Sequence, residues 1–151
     1  MPGQEDETPT PDAATAAAAP SPSALSDLMP FAKTLGVVFD VAGKDEVRAH
    51  LAWAPELCTS GGLLHGGVLM SLADSTGAAC AFLNLPEGAG TTTIESKTNF
   101  LRGVREGEGG VVATSRPLHV GRKVIVVETD LRDDRERLVA RVTQTQMVLG
   151  G

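Results

Sequence analysis

The chain has 151 residues and a mass of 15.6 kDa, enough for one domain core and too little for two. Hydrophobic residues make up 42% and charged residues 21%, a globular balance; 19 Asp and Glu against 13 Lys and Arg give a net charge of -6, and there are four Phe, one Trp and no Tyr. An acidic chain poor in aromatics lacks the basic face and stacking platforms of a nucleic-acid binder, so no nucleic-acid partner is expected. No apolar run reaches the roughly 18 residues of a membrane span, so no membrane partner is expected either. The start, Met-Pro-Gly-Gln-Glu-Asp-Glu, is acidic where a signal peptide is basic. Cys58 and Cys80 are too few for a disulfide framework or a four-thiolate zinc site. The expected compartment is the reducing cytoplasm.

Residues 1–24 are mainly Ala, Pro, Thr and acidic residues, without a large apolar side chain after Met1, and are expected to form a disordered tail ahead of a domain spanning 25–151. Leu25, Leu28, Met29 and Phe31 fit a short amphipathic helix interrupted or restarted at Pro30 and closed before Gly36. From Val37 the period changes to two. Val37, Phe39 and Val41 form one face of a strand, Gly43-Lys44-Asp45 turns the chain, and Val47, Ala49, Leu51 and Trp53 form the core face of a second strand that stops before Pro55. A loop with Gly61, Gly62, Gly66 and Gly67 follows. Residues 67–84 contain no Pro and predict the one long helix, with Leu69, Leu72, Thr76, Ala79 and Leu83 on its core face and Asn84, Pro86 and Gly88 at its end.

The remainder predicts strands: Ile94, Ser96, Thr98 and Phe100 alternate, then come Val111 to Leu118, Val124 to Leu131 and Leu138 to Val148. Strands before and after one helix predict an α+β fold with an antiparallel sheet wrapped around a long central helix. A second helix face carries Gly67, Met70, Ser71, Asp74, Gly77, Ala78 and Ala81, nearly all small. It fits either close packing or a substrate channel containing Asp74, whose charge among small neutral residues requires solvation or hydrogen bonds.

The run Gly62-Leu63-Leu64-His65-Gly66-Gly67 followed by Leu72-Ala73-Asp74, with an acid nine residues after the His, resembles the signature of hotdog-fold acyl-CoA thioesterases, in particular the phenylacetate-pathway and 4-hydroxybenzoyl-CoA thioesterase group. The likeness extends over most of residues 28–149 and includes Met29-Pro30-Phe31, Phe100-Leu101-Arg102 and the Gly121-Arg122 turn. It implies a hotdog fold, hydrolysis of a thioester to free acid and coenzyme A, an acyl-CoA substrate as the partner, no cofactor and no metal, and subunits paired through their sheets as a homodimer at least and a homotetramer in full.

By this resemblance Asp74 is the catalytic nucleophile or the general base that activates water. Gly66 and Gly67 open the helix, where unpaired N–H groups and the helix dipole would polarise the carbonyl. His65 would orient the thioester or else fix the loop ahead of the helix. Arg122 and Lys123 fall where relatives hold the phosphates of coenzyme A, and otherwise read, like Arg102, as ordinary charged positions. Thr59 stands six residues before the His, where related enzymes carry Asn or Gln, and Ala78 stands where one relative has Thr. Polar help for Asp74 must therefore come from elsewhere, with Ser75 and Thr76 nearest in sequence.

Gly66 and Asp74 are eight residues apart, about 12 Å along a helix, too far to touch one carbonyl. A two-fold axis between antiparallel helices would bring Gly66 of one subunit to Asp74 of the other. No Gly-x-Ser-x-Gly elbow or Gly-Lys-Ser/Thr phosphate loop is present, and the three histidines have no metal-site spacing. Cys58 with His65 or His119 is a remaining nucleophile pair. The alternative to an enzyme is a non-catalytic acyl-CoA-binding module or sensor using the same cleft.

Overall fold

A computed structural model describes residues 19–150. Most of the expected tail, residues 1–18, lies outside the described residues, as does residue 151. Helix α1 (Pro22–Leu28) begins inside the stretch assigned to that tail: Ser21 caps it by accepting from the Ala24 N–H at 3.3 Å, Pro22 occupies the first turn, and Leu25 is buried. The chain restarts at Pro30 as α2 (Pro30–Leu35), which Gly36 ends with φ 84°, a conformation that favours glycine.

Six strands follow: β1 (Val38–Ala42), β2 (Val47–Ala52), β3 (Gly90–Phe100), β4 (Gly110–Val120), β5 (Val124–Asp133) and β6 (Leu138–Leu149). They form one antiparallel sheet in the order β1-β2-β4-β5-β6-β3. Helix α3 (Gly66–Phe82) lies against it and touches every strand. This is the hotdog architecture, and the expected helix is displaced only at its ends.

Period-two alternation decides which side chains meet α3. Val47, Ala49 and Leu51 of β2, Val111 and Ala113 of β4, Ile125, Val127 and Leu131 of β5, and Ala140 and Val142 of β6 are all buried. On α3 the buried set is Leu69, Leu72, Ala73, Thr76, Gly77, Ala79, Cys80 and Ala81, so more than one face is enclosed. Asn84 fixes the helix end, donating from Nδ2 to the Cys80 carbonyl at 2.9 Å and to the Lys44 carbonyl in the β1–β2 turn at 2.8 Å. Among the described residues no helix is long and apolar enough to cross a membrane.

Strand β3 forms over the expected alternation and lies at the edge of the sheet. It pairs only with β6, its register shifts between Thr93 and Glu95, and Ile94 and Phe100 are each 51% exposed. The face read there is only partly covered within one chain: the Phe100 ring lies over Gly66 of α3 and Ser96 borders Asp74, but β3 is the outer strand of the sheet and has no strand beyond it.

An ionic cluster ties the β5–β6 hairpin to the loop ahead of α3. Asp133 Oδ1 accepts from the Arg135 and Arg137 N–H groups at 3.0 Å each, and its Oδ2 accepts from Arg137 Nε at 2.7 Å. Arg137 Nη2 reaches Glu108 at 3.0 Å, and Glu108 accepts from the Arg105 N–H at 2.8 Å. Beside Arg105, the Val104 carbonyl accepts from the Leu64 N–H at 3.0 Å, one residue before His65. Burial pushes the Asp133 carboxyl upward, but the Arg137 amide and guanidinium and the Arg135 amide outweigh it and hold the group below its ordinary value. The Arg105 amide and Arg137 do the same for Glu108.

A carboxyl depressed in the folded state contributes stability that is present above its unfolded pKa, near 4, and is lost as pH falls through the lower folded value. Arg137→Met should therefore lower the melting temperature by several degrees at pH 7. It should also flatten the loss of stability below about pH 4, as read by thermal unfolding across pH; an unchanged acid limb would remove the cluster from the acid response.

Candidate active site

Helix α3 begins with a side-chain cap. His65 has extended backbone angles (φ -65°, ψ 137°), and its Nδ1 accepts from the Gly67 N–H at 2.8 Å. That places the ring proton on Nε2, which faces away from the cap. The Gly67 amide is thereby occupied, whereas the Gly66 N–H has no acceptor among the described residues. Gly66 is also closely covered: a Cβ added there would lie 3.1 Å from the Phe100 ring. Of the two glycines expected to present amides, Gly66 is the one whose donor is free, at the positive end of a 17-residue helix.

Two turns on, Asp74 projects from the exposed side of α3 toward β3. Its Oδ1 accepts from Thr93 Oγ1 at 3.1 Å and from Gln144 Nε2, while Oδ2 has no hydrogen bond among the described residues. A depression of about 250 Å³ opens beside it, lined by Phe31, Met70, Ser71, Asp74, Ser75 and Ser96. Ser75 is thus at the site. Thr76 is not: it is fully buried and donates to the Leu72 carbonyl at 2.7 Å.

One chain brings the expected residues together in separate groups. Asp74 and Ser75 share the depression, and His65, Gly66 and Gly67 share the helix start. Thr59 sits in the preceding loop, where its Oγ1 accepts from the Gly61 N–H at 3.2 Å, and it borders a different depression with Trp53, Cys58 and Arg105. Arg122 and Lys123 are exposed in the β4–β5 turn, whose Lys123 carbonyl accepts from the Val148 N–H at 2.9 Å. A larger depression, about 550 Å³, is elsewhere, on the outer face of the sheet, where His50 pairs with Asp40 and Arg132 with Asp130.

The polar partners of Asp74 are residues that the sequence reading did not single out, Thr93 and Gln144, supported by Gln146 and Thr91. Their signal was the parity of β6: Gln144 and Gln146 continue the row begun by the buried Ala140 and Val142. Neither cysteine suits a nucleophile. Cys80 is buried, which pushes its thiol up to about 11, and Cys58 Sγ donates to the Ala54 carbonyl at 3.3 Å. Among the described residues no three His, Cys, Asp or Glu side chains are grouped so as to hold a metal ion.

A sheet wrapped around one helix, with a free amide at its start and a carboxylate at its middle, defines a hotdog protein equipped for acyl chemistry. The sequence model of the thioesterase superfamily matches residues 61–140. The chain is 35% identical over 124 residues to Rv1847 of Mycobacterium tuberculosis, a protein provisionally named an esterase, covering 80% of this chain and 87% of that one. It is 29% identical over 115 residues to the 1,4-dihydroxy-2-naphthoyl-CoA hydrolase of Escherichia coli, covering 76% and 83%. The crystal structure of thioesterase HI1161 from Haemophilus influenzae matches with a TM-score of 0.80 at 28% identity, over 86% of this chain and 91% of that one. The chain belongs to the thioesterase superfamily, and the protein is a thioester hydrolase.

The two nitrogens of His65 can be separated by mutation. Asn is a good N-cap acceptor but has no group in place of Nε2, whereas Ala is neither. His65→Ala should cost roughly 1 kcal/mol of stability and His65→Asn much less. Thiol-release assays on both variants then read the catalytic contribution: activity of His65→Asn equal to wild type would leave the ring with capping alone.

Proposed function

We propose that the protein hydrolyses acyl-CoA thioesters at a site completed by two copies of the chain. The observation that carries this reading is the pair of unspent groups on α3, the Gly66 N–H and Asp74 Oδ2, set about 12 Å apart along one helix. Paired antiparallel helices bring Gly66 of one subunit opposite Asp74 of the next. The unpaired edge of β3 and its exposed Ile94 and Phe100 support pairing through the sheets, since a long free edge normally acquires a cover. The name of the Escherichia coli relative supports coenzyme A as the leaving group.

In this mechanism the thioester carbonyl accepts from the Gly66 N–H, aided by the helix dipole and by His65 Nε2–H. Asp74 of the other subunit acts through Oδ2. As general base it takes a proton from water, whose oxygen bonds to the carbonyl carbon; as nucleophile it forms an anhydride that water then opens. On either route the C–S bond breaks, coenzyme A leaves as the thiol after gaining a proton, and the acid is released. Arg122 and Lys123 bind the phosphates of coenzyme A, with Gly67, Thr59 and Ser75 lining the approach. The assembly is a homotetramer of such dimers, and the free thiols of Cys58 and Cys80 suit a cytoplasmic location.

Asp74→Asn should lower turnover by about 100-fold or more with folding intact. Gly66→Pro should fold as well. The position is the first of the helix, its N–H has no acceptor among the described residues, His65 already has the extended backbone that precedes proline, and an added Cβ would lie 3.1 Å from the exposed Phe100 ring, which must shift to admit it. Each homodimer should be nearly inactive. Refolded together, the two variants should recover activity, up to one intact site in about half of the dimers under random pairing. Heterodimers verified by native mass that remain inactive would overturn the shared site.

For the phosphate contacts, Arg122→Ala with Lys123→Ala should raise KM for acyl-CoA well above any loss in kcat, and added salt should weaken wild-type binding in the same way. A short thioester lacking the nucleotide should be hydrolysed equally by variant and parent. Equal losses on both substrates would take these residues away from coenzyme A.

A further inference from the structure

Strand β6 sends two glutamine side chains into the space beneath α3, each 1% exposed. Gln144 Nε2 donates to Asp74 Oδ1 and to Thr93 Oγ1, the latter at 3.0 Å. Gln146 Nε2 donates to the same Thr93 Oγ1 at 2.7 Å, and Gln146 Oε1 accepts from Thr91 Oγ1 at 3.1 Å. Thr93 Oγ1 donates its own hydrogen bond to Asp74 Oδ1. A hydroxyl has one proton and two lone pairs, and all three are used here.

The direction of the bonds among Asp74, Thr93 and the two amides follows from the carboxylate. An ionised Asp74 only accepts, so Thr93 must donate to it; both amides must then present N–H to Thr93. Turning the Gln144 amide over would place its carbonyl oxygen against a carboxylate oxygen.

This arrangement has costs that a structural filler would avoid. Gln144 Oε1 is buried without a hydrogen-bond partner. Gly77 stands opposite it in mid-helix, where a Cβ would collide with that oxygen and lie 3.1 Å from Val127 Cγ2. A Met or Leu at position 144 would fill this space with no orphaned carbonyl, so packing alone does not explain an amide there. What the amide does supply is a second hydrogen bond on Oδ1, which occupies that oxygen and leaves Oδ2 as the one without a partner among the described residues.

We propose that Gln144 is a positioning residue for the thioesterase reaction: seated by Gly77 and braced through Thr93, it holds the Asp74 carboxylate with Oδ1 occupied and Oδ2 facing the substrate. The proposal rests on Asp74 being the group that acts on the thioester. Gln144 does not touch substrate, so its loss acts on the chemical step and leaves binding of the coenzyme untouched.

Gln144→Met keeps length and burial and removes the donors. It should lower kcat about tenfold or more, change KM less than about twofold, and leave the melting temperature unchanged or higher. Thr93→Val should lower kcat similarly, and Thr93→Ser, which restores the hydroxyl, should recover most of the loss. Introduced into Asp74→Asn, Gln144→Met should have no further effect on the residual rate, because it acts through a carboxylate no longer present. A wild-type kcat for Gln144→Met, or an equal loss in both backgrounds, overturns the positioning role. Should that variant not fold, the Val and Ser pair at position 93 decides, and failure of Ser to rescue overturns the role. A wild-type rate for Asp74→Asn alone is a different result, since it removes Asp74 from the chemistry before Gln144 is tested.

Discussion

Enclosure of α3 by a single sheet is the constraint on which the site depends. Leu69, Leu72, Thr76 and Ala79 seat the helix on the core, and the buried Gly77, Cys80 and Ala81 bring the sheet in on further sides. What remains exposed is a strip with Gly67, Met70 and Asp74 along it. A carboxylate on such a strip is close enough to the strands to be held and open enough to be reached. The helix start adds its dipole and one unspent amide, so a rigid rod carries both groups and fixes their spacing.

The small residues beside that strip acquire specific meaning from the sheet. Gly77 is small because the side chain of Gln144 lies across it, and Gly66 because the Phe100 ring does. Close approach at the first position lets the Gln144 amide reach Asp74, and at the second it sets the amide beside an aromatic ring. At both positions a side chain larger than hydrogen would press on the group that lies across it.

Much of this was legible from the residues. The absence of proline between 67 and 84, the flanking glycines, and the alternation from Val37 onward gave the element order, the long helix and the sheet. The restart at Pro30 followed from proline alone. Asp74 stood out because a lone charge on a small-residue stripe demands partners. Those partners lie nineteen and seventy residues away, at Thr93 and Gln144, so spacing along the helix could not reveal them and attention fell on the neighbouring Ser75 and Thr76. Strand parity does point Gln144 inward, but only once the sheet order puts β6 beside β3. The Gly67 amide looked available because nothing in the sequence distinguishes a capping histidine from a free one. The start of α1 was missed because Ser21-Pro22 was read as part of a low-complexity tail, although Ser followed by Pro also begins helices.

Strand β3 has two duties that meet in the same eleven residues. One long side of the strand is unpaired, and its Thr93 hydroxyl leans back onto Asp74. Any neighbour that pairs with the open side restrains the backbone that carries this hydroxyl, so association and order at the carboxylate share one equilibrium. Dilution would then loosen the carboxylate's support before the core around Leu72 or Ile125 responds, and catalytic competence would be a property of the assembled sheet, with the isolated chain holding its parts in an unfinished order.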